Sequence, residues 1–256
     1  MKIVRKPKVY LVGRSQAISE GLTGFIKDHN TTWEHDTEKG PEILCEAAGR
    51  ICYMSYGRGR KSNQEYLKNI LDSGHGSVLE HVTWNFILTG VSRSLTHELV
   101  RHRAGFAYSQ LSQRYVSEDD TDFVEPEAIA TDPELHEAWL KCVEGSRQAY
   151  IRLVDGLSKK FENIQDKTLR RKMARQAARS VLPNATETKI FVTANARAWR
   201  HFIELRGGEH ADIEIRGLAV ELLKILQRES QNIFGDFTLQ TLADGSEAVA
   251  TTHHKV

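Results

Sequence analysis

Residues 101–114 read RHRAGFAYSQLSQR, a stretch that begins with cationic side chains and continues with hydrogen-bonding ones. Arg101, His102 and Arg103 are consecutive, so they cannot all face solvent on one helical turn, and we predict that some of them contact an anion. A plainer interpretation is a solvated helix end, where Arg and His interact favourably with the helix dipole. The residues that follow favour a loop that binds a phosphate and the edge of a heterocycle. Their hydroxyl, amide and guanidinium groups belong to Tyr108, Ser109, Gln110, Ser112, Gln113 and Arg114.

The length and composition of the chain allow one compact domain. Of the 256 residues, 40% are hydrophobic, which is enough to bury a sizeable core. The sequence contains no internal repeat, so we predict a single domain over residues 1–245. Residues 246–256 show no periodicity, and we predict a flexible tail there in which His253 and His254 bind no metal.

The charge and cysteine content limit the partners and the compartment. Lys and Arg number 35 and Asp and Glu 34, a net charge of +1, so no overall field attracts nucleic acid or a membrane. The three cysteines, Cys45, Cys52 and Cys142, are scattered, which is typical of a reducing compartment, and their helical positions predict small apolar packing residues. No stretch approaches the ~18 apolar residues of a membrane span. We therefore predict a cytoplasmic protein with no nucleic-acid or membrane partner.

Hydrophobic periodicity predicts an α+β fold, rich in helices, with a modest mixed or antiparallel sheet. Strands are predicted at 8–13, at 82–89 ending at Gly90, and at 189–192. A capping box, Ser62 with Glu65, opens one helix, and Ser94 is the expected cap of another. The remaining helices are predicted at 41–56, 133–161, 167–181, 198–206 and 211–228. Residues 28–40 and HGSVLEH, residues 75–81, are predicted to be connectors, and helix 133–161 is expected to be core scaffold.

Three arginines, Arg171, Arg175 and Arg179, stand four residues apart and must share a face of one helix. Such a stripe can be a solvated surface, a ligand site or a face for nucleic acid. One class of protein that this stripe would suit is a nucleic-acid-binding module, in which Tyr108 and Tyr115 would stack on bases. The near-neutral charge opposes that class. A nucleic-acid binder would be colourless and would bind oligonucleotides with a steep salt dependence.

Two further clusters could resemble metal sites. His75, Glu80 and His81 lack another ligand at a helical spacing that would complete a site. Glu209, His210 and Asp212 begin a helix, where acidic side chains are favoured by the dipole. We predict no metal site.

The stretch 101–114 resembles the signature of the flavin-dependent thymidylate synthases, which is RHR, a spacer, Ser, one residue and Arg. Eight residues, AGFAYSQL, separate Arg103 from Ser112, so the spacer is one residue longer than the usual family pattern. The similarity extends through HGSVLEH, RRKMARQAARSVLPNATET, NARAWRHFIELR and EHADIEIR. The resemblance implies the fold of thymidylate synthase complementing proteins and a homotetramer in which subunits share active sites.

The resemblance also implies the ligands and the residues that hold them. The substrate would be dUMP, converted to dTMP with 5,10-methylenetetrahydrofolate as carbon donor and NADPH as reductant through FAD. Residues matching the FAD contacts are Ser77, Arg101, His102, Arg103, Gln110, Asn195, Arg197 and His201. Residues matching the dUMP contacts are Glu98, Arg101, Gln110, Leu111, Ser112, Gln113, Arg114, Arg179 and Arg206. His75 would lie near the folate and flavin rings.

Arg206 matches the catalytic arginine of the family. Uracil C5 is a poor nucleophile unless negative charge builds in the ring, and a guanidinium at N3 and O4 would stabilise that charge. The family uses no cysteine attack on C6. Ser112 is assigned to nucleotide binding because no histidine or acid follows it at a spacing that would activate its hydroxyl. No residue excludes a 2′-hydroxyl, so a related UMP methylase remains an alternative.

Overall fold

Alternation of apolar and polar side chains along four segments produces the main sheet of the protein. The computed structural model describes residues 1–256. Its strands are β1 (Ile3–Val4), β2 (Lys8–Arg14), β3 (Thr83–Ser92), β4 (Phe106–Gln110), β5 (Phe123–Val124), β6 (Glu187–Asn195), β7 (Thr238–Thr241) and β8 (Glu247–Ala250). The four-stranded sheet has the order β2-β3-β6-β4, with two-stranded pairs β1-β5, parallel, and β7-β8, antiparallel.

Helices make up most of the rest of the chain. They are α1 (Ser19–Asp28), α2 (Gly40–Ile51), α3 (Asn63–Asp72), α4 (Arg93–Leu99), α5 (Glu127–Ala130), α6 (Pro133–Lys160), α7 (Lys167–Ala178), α8 (Ala196–Arg206), α9 (Ile213–Glu229) and α10 (Gln231–Phe234). Two 3-10 helices lie at Gly76–His81, where a connector was predicted, and at Arg179–Val181. The predicted α+β class, rich in helix with modest sheets, is confirmed.

Local capping chemistry fixes where several helices begin. Ser62 Oγ accepts a hydrogen bond from the N–H of Glu65 at 3.1 Å, which confirms the predicted capping box of α3. The predicted cap at Ser94 is wrong, because Ser92 Oγ accepts from the Leu95 N–H at 2.9 Å and α4 begins two residues earlier. Helix α1 was not predicted, and it buries no residue.

Strand β3 shows why an isolated glycine is a weak end signal. Trp84, Phe86 and Leu88 are fully buried, as the alternation predicts. The strand does not end at Gly90 but continues to Ser92. At Gly90 the φ angle is +67°, and a Cβ would lie 2.9 Å from the Lys6 carbonyl oxygen, so the residue allows a close backbone approach inside the strand.

The chain divides into two compact units. Unit 1 comprises 1–8, 88–101 and 109–191, and unit 2 comprises 9–87, 102–108 and 192–256. The single domain predicted for residues 1–245 stays a prediction.

In unit 1, helices α6 and α7 pack against each other. Helix α6 is not the core scaffold that the sequence predicted. Of its 28 residues only Val143 and Tyr150 are buried, and Leu135 is 52% exposed. Cys142 is also exposed. Part of the apolar face of α6, including Leu135 and Leu153, therefore remains exposed within this chain.

Unit 2 has a dense aromatic core. Trp199 meets Phe86 edge to face, with ring centroids 5.2 Å apart, and Trp84 meets Phe234 at 5.4 Å. Arg200 is almost fully buried and donates two hydrogen bonds to the carboxylate of Asp236, at 2.6 and 2.8 Å. This bidentate pair satisfies a charge that would otherwise be costly in the core.

The expected flexible tail is structured in unit 2. Strand β8 pairs with β7, and Ala248 and Val249 are buried. Among the cysteines of this unit, Cys45 is buried as predicted, whereas Cys52 is exposed. None of the helices is both long and apolar enough to cross a membrane.

Candidate functional site

The residues expected to bind the nucleotide fall in unit 1, on α4, the end of β4 and the segment after it. Arg101 follows α4, and its Nε donates to the carbonyl of His97 at 3.3 Å. Glu98 is half-buried in the last turn of α4. Gln110 ends β4, and its side-chain amide donates to Thr96 Oγ1 at 3.2 Å. The helix and the strand thus bring together three of the expected contacts.

The segment after β4 is folded by the residues of the signature itself. The Leu111 N–H donates to the Lys189 carbonyl at 2.9 Å, which extends the sheet pairing by one residue. Ser112 Oγ accepts from the Arg114 N–H at 3.3 Å, and the Ser112 carbonyl accepts from the Val116 N–H at 3.0 Å. Serine therefore closes a turn that aims the following side chains. Ser112, Gln113 and Arg114 are all half-buried.

The arginine stripe of α7 supports this turn. Arg175 Nη1 donates to the Tyr115 carbonyl at 2.6 Å, so one of its members holds the loop backbone. Arg179, an expected nucleotide ligand, is exposed at the end of α7. Arg171 Nε donates to the Lys167 carbonyl of its own helix at 3.3 Å, and the side chain is exposed. The stripe therefore combines a loop anchor, a candidate ligand and a solvated charge.

Arg93 was not identified from the sequence, although the structure places it in the same cluster. Its Nη2 donates to the Leu111 carbonyl at 2.9 Å and lies 3.9 Å from Glu118 Oε1. Burial raises the pKa of the Glu118 carboxyl, an effect that Arg93 opposes only in part. The available sequence signal was the position of Arg93 at a strand-to-helix junction, where side chains converge on the carboxyl end of a strand.

Several buried polar atoms of this cluster have no hydrogen-bond partner within the chain. Two of them are the guanidinium nitrogens Arg93 Nε and Arg114 Nε. Buried polar groups of native proteins are nearly always paired, so a cluster of orphans indicates a missing polar ligand or a missing protein surface. Arginine donors with a carboxylate and a hydroxyl suit a nucleotide, which presents both an anion and hydrogen-bonding ring edges.

The residues expected to bind flavin, apart from Arg101 and Gln110, fall in unit 2 around the beginning of α8. Asn195 caps this helix, since its Oδ1 accepts from the Ala198 N–H at 2.8 Å. Gly105 has a φ of +74°, and a Cβ there would lie 2.8 Å from Asn195 Nδ2. The loop between Arg103 and β4 therefore closes directly onto the helix cap.

The remaining donors of this group are exposed. Arg197 pairs with Glu80, with 2.6 Å between Nη1 and Oε1, while Ser77, Arg103 and His201 face solvent. A Cβ on Gly76 would lie 2.9 Å from Arg197 Nε, so the Ser77 backbone and Arg197 are neighbours. Hydroxyl, guanidinium and imidazole donors beside a helix N-terminus fit an anionic dinucleotide such as FAD. His75 is exposed next to this backbone.

His102 and Arg206 form a direct hydrogen bond in unit 2. Arg206 Nε donates to His102 Nε2 at 3.0 Å, so the imidazole proton lies on Nδ1. The ring is buried and packs against Phe202, with centroids 5.1 Å apart, and its centroid lies 5.9 Å from that of His201. Burial, together with the charge of Arg206, lowers the pKa of His102 to about 4. A neutral histidine thus orients the guanidinium of Arg206.

Comparison with known proteins agrees with this geometry. The family model of thymidylate synthase complementing proteins matches residues 34–230. The chain is 51% identical over 228 residues to a flavin-dependent thymidylate synthase of Mycobacteroides abscessus, covering 88% of this chain and 90% of that protein. It is 50% identical over 233 residues to the enzyme of that name from Mycobacterium avium, covering 90% and 92% respectively.

A solved structure has a similar fold. A UMP/dUMP methylase from Streptomyces cacaoi, bound with 5-Br dUMP, aligns with a TM-score of 0.67 at 19% identity, covering 92% of this chain and 96% of that one. The fold defines an α+β protein in which cationic and hydrogen-bonding side chains gather in two groups. The chain belongs to the family of thymidylate synthase complementing proteins, the flavin-dependent thymidylate synthases.

Proposed function

We propose that this chain is a flavin-dependent thymidylate synthase that converts dUMP to dTMP. The one-carbon donor would be 5,10-methylenetetrahydrofolate, and NADPH would be the reductant through FAD. The observation that carries the proposal is the Arg206 guanidinium held by a buried, neutral His102. Identity of about half the residues to enzymes of that name, over nearly the whole of both chains, supports it.

The unit 1 cluster would bind dUMP. Guanidinium groups of Arg101, Arg114 and Arg179 suit the phosphate, since they present several donors in a planar fork. Glu98, Gln110, Leu111, Ser112 and Gln113 would complete the site. The turn closed by Ser112 and held by Arg175 keeps these donors in a fixed arrangement, which reduces the entropy lost on binding.

The unit 2 group would bind FAD. Ser77, Arg103 and Arg197 supply exposed donors, and the capped end of α8 adds a partial positive charge. His102, Asn195 and His201 would line the same site. When bound, the reduced flavin supplies the hydride that completes the new methyl group and takes part in moving the one-carbon unit. His75 would lie towards the folate.

Arg206 would perform the electrostatic part of the chemistry. Reaction at C5 of uracil requires electron density that the ring acquires as negative charge grows at N3 and O4. A fixed guanidinium stabilises that charge without reorganising, because the hydrogen bond to His102 already sets its orientation. A protonated His102 could not accept this hydrogen bond, so its lowered pKa serves the function.

No cysteine is positioned as a nucleophile in this proposal. Cys45 is buried, and burial raises the pKa of its thiol, which keeps it protonated and unreactive. Cys52 and Cys142 lie on α2's end and on α6, among none of the expected ligand residues. Ser112 already accepts the Arg114 N–H, in keeping with a binding role.

The proposal includes a homotetramer whose subunits share active sites, located in the cytoplasm. The exposed part of the apolar face of α6 and the orphaned polar atoms of unit 1 support an assembly in which other copies cover these surfaces. Dilution or substitution at the interface should release flavin before the fold is lost. A verified monomer that retains flavin stoichiometrically would contradict this part of the proposal.

Turnover tests the function directly. The purified protein should show visible flavin absorbance and should produce dTMP from dUMP when FAD, methylenetetrahydrofolate and NADPH are supplied. UMP in place of dUMP tests the related methylase activity, and an oligonucleotide tests the nucleic-acid alternative. A colourless protein that forms no dTMP, or one that methylates UMP alone, would overturn the proposed reaction.

Two substitutions separate binding from catalysis. Ser112→Ala should weaken dUMP binding by about tenfold yet leave turnover at saturating dUMP, since it removes one hydroxyl contact. Arg206→Ala should lower turnover by roughly 100- to 1,000-fold with flavin still bound, because it removes stabilisation that grows towards the transition state. Steady-state and single-turnover kinetics, with flavin content measured first, distinguish the two. The opposite pattern would assign the wrong residue to catalysis.

A further inference from the structure

Residues Thr251–Val256 are here called the strap. Two carboxylates form the first of the two anchors that hold the strap against unit 2. Thr251 Oγ1 donates to Asp236 Oδ2 at 2.6 Å. The His253 ring lies between two acids, with Nδ1 3.1 Å from Asp236 Oδ2 and Nε2 2.9 Å from Asp72 Oδ1. Asp236 is itself fixed by the buried Arg200 of α8. The first half of the strap is therefore anchored to the core of the unit.

A second anchor lies further along α8. Glu204 accepts twice, from the His254 ring at 2.9 Å and from the Lys255 backbone N–H at 3.0 Å. Lys255 has a φ of +61°, a conformation that a residue with a side chain adopts only when its surroundings hold it there. The turn at Lys255 directs Val256 inward, where it is buried.

Val256 meets two residues beside the proposed flavin site. A Cβ on Gly76 would lie 3.0 Å from the Val256 carbonyl carbon and 2.9 Å from Arg197 Nε. The end of the strap and the Arg197 side chain thus both lie against the Gly76 backbone, where an added Cβ would displace one of them. Ser77 follows Gly76 directly, and Ser77 and Arg197 are both proposed flavin ligands.

We propose that the strap is a positioning element of the flavin site, with Val256 as its positioning residue. By packing against Gly76 and Arg197 it holds the Ser77 backbone and the guanidinium in the arrangement that receives the dinucleotide. Helix α8 carries both the site residue Arg197 and the strap's anchor Glu204, so the two are fixed to one rigid element. This inference rests on the proposed function, since it concerns the same flavin site.

The test uses the full chain with residues 251–256 removed, and separately the full chain with Glu204→Gln, which weakens only the second anchor. The matched control is His210→Ala, which removes an exposed histidine paired with Glu209 at 3.2 Å, outside the strap. FAD affinity is measured by fluorescence titration of flavin-free protein, and dUMP affinity by calorimetry. Circular dichroism verifies folding.

Removal of the strap should weaken FAD binding by about tenfold, and Glu204→Gln should weaken it by a smaller factor in the same direction. The dissociation constant for dUMP should stay within about twofold, and the control should match the wild type. Unchanged or tighter FAD binding by the folded deletion would overturn the inference. If the deletion does not fold, unchanged FAD affinity of Glu204→Gln overturns it instead. Failure of the proposed function is distinct, since the wild type itself would then bind no flavin.

Discussion

The hydrogen bond between Arg206 and His102 makes the protonation of His102 measurable as a change in stability. The pKa of His102 in the folded protein is about 4, against 6.5 for an ordinary histidine, because the ring is buried beside a guanidinium. Between these values the unfolded chain binds a proton that the folded chain does not. The corresponding stabilisation is fully present above about pH 6.5 and is lost as the pH falls towards 4.

The size of this effect follows from the shift. Each pKa unit corresponds to about 1.4 kcal/mol, so the difference between 6.5 and about 4 gives at most about 3.4 kcal/mol. We expect about 1 to 3 kcal/mol, since relaxation of the protein reduces the cost of the charged form.

The variant that isolates this effect is His102→Gln. The glutamine carboxamide oxygen can accept the Arg206 Nε–H as Nε2 does, but it does not titrate. Denaturant unfolding of flavin-free wild type and variant at pH 7 and pH 4.5 should show the wild type losing more stability on acidification. Histidine-selective NMR should show His102 neutral at pH 5, with its proton on Nδ1. Titration of His102 near pH 6.5, or equal acid losses in the two proteins, would refute this account.

Three further outcomes follow from contacts in the two units. Arg175→Ala should raise the KM for dUMP several-fold by releasing the Tyr115 carbonyl. Arg171→Ala, which removes a donor to the carbonyl of its own helix, should leave KM unchanged. Equal effects in initial-rate measurements would contradict the anchoring role. Gly105→Ala should release flavin because its Cβ would meet Asn195, while Gly59→Ala, also at positive φ but in open space, should keep it, as the visible spectrum would show. Arg206→Lys should remain roughly 100-fold slow in single-turnover experiments, since an ammonium lacks the planar fork; near-normal rates would argue for simple charge.

Much of the fold could be predicted because local signals and tertiary packing agree. The strand around Trp84 and the helix start at Ser62 are both determined by residues that are close in the sequence. The strand end at Gly90 and the cap at Ser94 were wrong because a distant backbone approach, at Lys6, and an earlier hydroxyl, at Ser92, decide them. Sequence patterns carry no information on such non-local contacts.

The candidate site could likewise be predicted only in part from the sequence. The resemblance to the family predicted nucleotide residues and Arg206, but not the residues that contact them. Arg93 and Arg175 donate to main-chain carbonyls. Because every residue has a carbonyl, no sequence pattern predicts these contacts. The strap was missed because side-chain anchors to Asp236 and Glu204 replace periodicity there. The ligand roles of the individual residues stay predictions.

Helix α6 has a consequence for how the chain acquires its structure. Helix α6 packs against α7 but leaves Leu135 and Leu153 exposed, and helices are marginal in water without packing of their apolar face. We expect α6 to become persistently helical only when a surface covers its apolar face, late in maturation and at a rate that depends on chain concentration. The half-life of newly made chains would then depend on the rate at which they associate with other copies. Until that association, α6 would be the segment that proteases cleave first.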